Sequence, residues 1–276
     1  MMELNKPKRL KHYFIIFACI LFMVVCLYGV WLLFPVSLDK SIAVTQVSET
    51  KKPIINAKFG LVLEPPVISI KPELPPDYSL PTGLNGMTPV VYRVATDQNI
   101  VFLGIDDGLF KDQSVVDVMQ ENNIKASLFL TKSAISGNPD FFKKLIDLGS
   151  FVENHTLSHD TKMTTSENYD QQKVDICGMA DYEELHFGRR PTLFRPPGGA
   201  YSDTMRQAAA DCGMKAVVTW VAKANGGSMQ YQIGNKLRPG DVVLMHFRPE
   251  FKQDMKAFID AMNVAGLHTA LLEDAL

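Results

Sequence analysis

Cysteine is scarce in this chain, with four in 276 residues. Cys19 and Cys26 lie inside an apolar run and read as small hydrophobic residues. Cys177 and Cys212 lie on or beside predicted helices, and the sequence leaves both a disulfide and a pair of buried thiols open. An excess of positive charge is also lacking. With 28 Lys+Arg against 30 Asp+Glu the formal charge is −2. That balance argues against general nucleic-acid binding, which needs dense Lys and Arg to neutralise phosphates. There is no Gly-x-y period to suggest a fibre, and a hydrophobic share of 46% excludes a wholly disordered chain.

The charge is unevenly spread. Residues 1–12 hold Lys6, Lys8, Arg9 and Lys11 against Glu3, whereas residues 89–276 hold 19 bases against 24 acids. Between Tyr13 and Phe34 there is no charged side chain over 22 residues. A helix of that length spans about 33 Å, enough for a hydrocarbon core of about 30 Å. The run is longer than the apolar part of a cleaved signal peptide. It ends in Trp31, Leu32, Leu33, Phe34 and Pro35 without a small-residue cleavage pattern. Residues 13–34 are therefore expected to form an uncleaved transmembrane signal anchor. The basic tail 1–12 would stay cytoplasmic and the rest of the chain would lie outside the cell membrane. Residues 35–88 carry Pro53, Pro65, Pro66, Pro72, Pro75, Pro76 and Pro81 and read as an extracytoplasmic spacer. The alternative is a decorated edge of the following domain, since Val67–Ile70 could be a strand.

From about Pro89 the pattern becomes regular. Strands are expected at 100–105, 126–130, 151–152, 193–194, 216–220 and 242–245. Helices are expected around 115–120, 141–148, 204–211 and 253–265. Thr164 with Glu167 reads as a capping box opening a long helix to about His186. Gly213 and Gly266 stand where helices end. Alternating strands and helices imply parallel βαβ units. About seven strands in such a length fit an α/β fold, a distorted (β/α) barrel, with an open doubly wound sheet as the competitor.

In such folds active sites lie at the C-terminal ends of the strands. Asp106 and Asp107 end the first strand, His155 and His159 follow the third, and Arg195 ends the fourth. Trp220 ends the fifth and His246 the sixth. Singly, each has an ordinary reading: Asp-Asp-Gly as a turn or cap, His155 and His159 as a solvated pair, Arg195 as a loop residue, and His246 as a structural one. Together they converge on one rim. A carboxylate with two imidazoles offers three ligands to a zinc-like ion and leaves a coordination position open, as in catalytic sites. His12, His186 and His268 have no motif partners.

These motifs, Asp106-Asp107, His155 to His159, Arg195-Pro196-Pro197 and Leu244-Met245-His246, resemble in order and spacing those of the polysaccharide deacetylase family (carbohydrate esterase family four). The resemblance covers about residues 90–276. It implies an enzyme that removes N-acetyl groups from chitin-like glycans or peptidoglycan. It also implies one divalent ion, zinc with cobalt or nickel as alternatives, on Asp107, His155 and His159. Asp106 would be the general base oriented by Arg195, a backbone N–H near Gly198 would serve the oxyanion, and His246 would protonate the leaving amine. Trp220 would line the substrate groove. The chain departs from the family pattern at four places. Gly198 replaces an aromatic, Gly104-Ile105 replaces Thr-Phe, Leu109 replaces a proline, and no acid stands beside Trp220, where the family's acid steadies the catalytic histidine. The implied protein is a membrane-anchored hydrolase acting on a polysaccharide, with no nucleic-acid partner. A non-catalytic glycan-binding or scaffolding module and an O-acetyl esterase are the alternatives.

Overall fold

The structure, a computed structural model, describes residues 86–276 and the backbone of the strand Ser79–Leu80. The expected basic tail, membrane anchor and most of the spacer lie outside the described residues. Among the described residues no helix is long and apolar enough to cross a membrane.

The sheet has 11 strands: β1 (Ser79–Leu80), β2 (Val90–Val91), β3 (Ile100–Asp107), β4 (Ser127–Leu130), β5 (Phe151–Asn154), β6 (Leu193–Phe194), β7 (Ala216–Val218), β8 (Ala222–Asn225), β9 (Ser228–Tyr231), β10 (Val242–His246) and β11 (His268–Ala270). Its order is β1-β2-β7-β6-β5-β4-β3-β10-β8-β9, with β11 paired to the start of β3. Every pairing is parallel except β1–β2 and β8–β9. This exceeds the expected count of about seven strands. The extra ones are short: β8 and β9 are four-residue strands with little apolar content, and β11 has three residues. The β1–β2 pair also shows that the end of the expected spacer joins the sheet edge.

The helices are α1 (Gln113–Glu121), α2 (Lys132–Ile135), α3 (Asp140–Asp147), α4 (Met163–Ser166), α5 (Tyr169–Phe187), α6 (Asp203–Asp211) and α7 (Phe251–Val264). The long strand β3 carries no polar side chain from Ile100 to Ile105 because both of its faces are covered, as in parallel sheets generally. One face of the sheet packs Leu103, Leu128, Val152 and Met245 against Val115, Met119, Phe142, Phe251 and Phe258 of the helix layer. The other face gathers Phe102, Phe129, Leu193, Val218 and Val242 inside the curved sheet. The result is an α/β half-barrel, so the barrel expectation holds in its coarser form.

Local chemistry sets the helix boundaries. Asp112 and Ser202 cap α1 and α6 by accepting from Ser114 N and Met205 N. The capping box of the long helix is not Thr164 with Glu167. It is Asn168 with Gln171, each side chain accepting from the other residue's backbone N–H. Thr164 instead lies in the separate short helix α4, and Glu167 is extended beyond its end. α5 closes on Gly188 in the left-handed conformation.

Cys177 of α5 and Cys212 at the end of α6 form a disulfide across 35 residues. Closing a loop of that length stabilises a fold by about 2–4 kcal/mol. Cys177→Ser is expected to lower the unfolding free energy by about that amount. Denaturant unfolding with and without a reductant checks it, because the variant should lose the reductant sensitivity of the parent.

Under the sheet, Glu153 accepts from Arg189 Nη2 and from the backbone of Thr192 and Leu193. Neither carboxylate oxygen of the fully buried Glu183 has a hydrogen-bond partner. Burial, then the charge of Glu153, pushes Glu183 well above the usual carboxylate range and Glu273 to about 8. The folded state thus holds protons that the unfolded chain releases above its ordinary carboxylate range. This contribution to stability is complete at acid pH and is lost as pH rises through the folded values. The melting temperature should therefore fall from about pH 5 to about pH 9. Glu183→Gln should flatten part of that fall, and an unchanged slope would contradict the assignment.

Candidate active site

Side chains alternate along β3, so Phe102, Gly104 and Asp106 share the inner face. Asp107 would then face the helices, but its backbone adopts φ +75°. That turn at the strand end brings both carboxylates to the same cavity. Four non-glycine residues have positive φ among the described residues, and Asp107, Thr156 and His159 are three of them. Such conformations persist only where the surroundings enforce them, and they cluster at functional sites.

His155 and His159 do not meet on a helix. They lie on the loop after β5, which positive φ at Thr156 and His159 folds back on itself. Asp175 of α5 holds this loop by accepting from Leu157 N, Ser158 N and Ser158 Oγ. Asn154 accepts from Thr156 N and donates to Ile176 O, tying the loop's first turn to the same helix.

Arg195 is fully buried behind Asp106. Its Nη1 donates to Asp106 Oδ1 at 2.6 Å and its Nε to Val218 O at 3.2 Å. The guanidinium lies 4.0 Å from the Phe129 ring centroid. A Cβ at Gly104 would come within 2.4 Å of both terminal nitrogens, so only glycine leaves room for Arg195 there. The carbonyl of Arg195 accepts from His155 Nδ1 at 2.6 Å. That bond places the proton on Nδ1 and leaves the Nε2 lone pair facing Asp107.

Asp107 Oδ1 lies 3.5 Å from His155 Nε2 and 3.0 Å from His159 Nε2. It is buried and receives no well-aligned hydrogen bond. A buried carboxylate oxygen set against an imidazole lone pair is unfavourable unless a cation sits among them. One ligand atom from each of Asp107, His155 and His159 lies within 4.8 Å of the others. This donor set fits a divalent ion of the zinc kind. Burial opposes ionisation of Asp107, but the imidazoles of His155, His159 and His246 around it outweigh that and hold the carboxyl well below the usual range.

These groups open on a cavity of about 300 Å³ lined by Asp106, Asp107, His155, His159, Gly198, Trp220 and His246. Seven of the eight sequence-derived site residues thus share one cavity, and Arg195 stands directly behind it. Gly198, with φ +70°, takes a left-handed turn that suits glycine. Trp220 packs against Gly199, where a Cβ would lie 2.6 Å from the indole. Among the described residues no side chain hydrogen-bonds the His246 ring. Burial lowers its pKa below the ordinary histidine value, Asp106 and Asp107 oppose that, and Arg248 adds to it. The cavity wall also contains Lys223, Asn225 and Arg248. Sequence reasoning gave no role to either cation; Lys223 was hidden because the polar strand β8 was not legible. A larger cavity of about 540 Å³, near the N-terminal ends of β4 and β11, contains none of the acid and imidazole cluster.

The described residues thus form a parallel α/β half-barrel with an acid–imidazole cluster at its strand ends. Residues 93–217 match the family model described as polysaccharide deacetylase. Over those residues, less than half of the chain, the sequence is similar to polysaccharide deacetylases. An uncharacterized protein of Streptomyces coelicolor is 37% identical over 159 residues, 57% of this chain and 63% of that protein. The chain thus spans less than two thirds of that relative's length. The peptidoglycan-N-acetylglucosamine deacetylase of Bacillus cereus is 27% identical over 176 residues, 60% of this chain and 78% of that protein. A CE4 family pseudoenzyme from Bacillus anthracis shares the fold with a TM-score of 0.59 at 19% identity, over 67% of this chain and 68% of that one.

Proposed function

We propose that the protein is a membrane-anchored, extracytoplasmic, divalent-metal-dependent hydrolase that removes N-acetyl groups from the amino sugars of a polysaccharide, peptidoglycan or a chitin-like glycan. The observation that carries the reading is the buried Arg195–Asp106 pair set beside the Asp107, His155 and His159 cluster in one cavity. Glycan binding alone requires neither a held carboxylate base nor a ligand set for a cation, which weighs against a non-catalytic module.

A divalent ion on Asp107, His155 and His159 would polarise the acetyl carbonyl and acidify an attacking water. Asp106 would accept the proton of that water, with Arg195 fixing its carboxylate. The backbone N–H of Gly198 would donate to the developing oxyanion. The C–N bond then breaks as His246 gives a proton to the departing nitrogen, yielding acetate and a free amine. Trp220 would wall the sugar site. The charge-free run at 13–34 and the basic residues before it support the anchor, and a disulfide suits an oxidising compartment outside the cytoplasm.

One observation favours a second reading, O-acetyl ester hydrolysis. His246 has no hydrogen-bonded side-chain partner among the described residues, and its burial favours the neutral ring. An ester leaves without the help an amide requires. Acetate release from matched N-acetyl and O-acetyl substrates tests both readings. If N-deacetylation is the native reaction, His246→Ala lowers it by about 10²–10⁴-fold and spares the ester far more. Equal losses would give His246 a structural role only, and an active ester beside an inert amide would establish the second reading.

A further inference from the structure

The wall of the cavity formed by β8 and β10 carries two cations with no ion pair among the described residues. Lys223 stands opposite Leu244 in the β8–β10 register. Leu244, His246, Lys223 and Asn225 recur at every second position of these strands and line the same cavity. Arg248, just beyond β10, lines it too, and its Nη1 donates to Asn225 Oδ1 at 3.2 Å. That bond holds the guanidinium at the wall and leaves its other donors for a ligand. Asp106 is already engaged by Arg195, and Asp107 lies against the two imidazoles. Neither neutralises Lys223 or Arg248. The surrounding domain is acidic, with 19 bases against 24 acids over residues 89–276, so two cations facing one cavity run against the local average.

We propose that this site takes an anionic glycan, in which the sugar bearing the reacting acetyl group also carries a carboxylate, with Lys223 and Arg248 as its partners. A neutral amino-sugar polymer would leave both charges without a counter-charge at the cavity wall. A carboxylate accepts from a guanidinium through two oxygens and from an ammonium at the same time. The proposal rests on the deacetylase reading for its chemistry, but charge recognition can be measured separately from turnover.

The experiment uses the full chain loaded with a divalent ion and three probes on one N-acetylated oligosaccharide backbone. One carries an O-linked lactyl carboxylate, the second its methyl ester, and the third a phosphate in place of the lactyl group. Both kcat/KM for acetate release and binding by calorimetry are measured. The acid should be preferred over its methyl ester by about tenfold at low salt, the weight of one charge-assisted hydrogen bond. Lys223→Gln and Arg248→Gln should each cut that ratio several-fold, and high salt should compress it. Equal handling of acid and ester overturns the proposal while leaving the deacetylase reading intact, and a preference for the phosphate overturns the choice of carboxylate. Substitutions that lower acid and ester alike overturn it too, since that pattern marks a structural role. If no probe releases acetate but the acid binds more tightly through Lys223 and Arg248, the deacetylase reading fails and the anionic preference stands. Binding that does not distinguish acid from ester in that case overturns both.

Discussion

Asp106→Asn is expected to keep the metal-binding residues in place and to lose turnover by about 10²–10⁴-fold, the usual weight of a general base. The amide has the shape of the carboxylate, so Arg195 Nη1 keeps an acceptor where it now meets Oδ1 at 2.6 Å. The amide cannot take a proton from water. It also leaves the charge of Arg195 uncompensated in a fully buried position, where Nη2 already has no hydrogen-bond partner. Breaking a buried ion pair costs about 3–5 kcal/mol, so the variant should also melt at a lower temperature. Rates are therefore compared well below that transition, at equal metal content. Asp107→Asn should reverse the order of effects, with metal occupancy falling first and activity following it. Near-normal turnover in Asp106→Asn would place the base elsewhere.

His155→Ala is expected to reduce bound divalent ion from one per chain to almost none. The imidazole supplies one of three candidate ligand atoms, and its Nδ1 is fixed by the carbonyl of Arg195 at 2.6 Å, which holds Nε2 toward the cluster. Loss of such outer contacts alone costs about 10–100-fold in affinity, and loss of the ligand itself costs more. Metal analysis after dialysis checks this directly. Unchanged occupancy would remove His155 from the ligand set.

The legible parts of this molecule were those written in local chemistry. β3, β4 and β10 are continuous apolar runs, and the groups that end or follow the strands fall at predictable places on the rim: Asp106, Asp107, His155, Arg195 and His246. What stayed hidden depends on contacts between distant segments. β8 reads Ala-Lys-Ala-Asn and becomes a strand through its pairing with β9 and β10, so Lys223 could not be placed in the cavity beforehand. The pairing of Cys177 with Cys212 follows from α5 packing beside α6. Gly104 stood out only as a departure from Thr. Its reason, the space needed by a guanidinium 91 residues later, exists only in the folded chain. The left-handed backbone at Asp107, Thr156 and His159 has no glycine to announce it. The capping box slipped because Asn168 and Gln171 offer the same motif four residues beyond Thr164 and Glu167.

The most direct test follows acetate released from an N-acetylated oligosaccharide by the full chain, first stripped with a chelator and then titrated with zinc, cobalt or nickel. The account predicts an inactive stripped protein and acetate release that rises with added ion and saturates at one ion per chain, with one free amine formed for each acetate. Acetate release at full rate from the stripped protein would contradict the metal site, and its absence with every ion, from a folded and metal-loaded chain, would contradict the deacetylase.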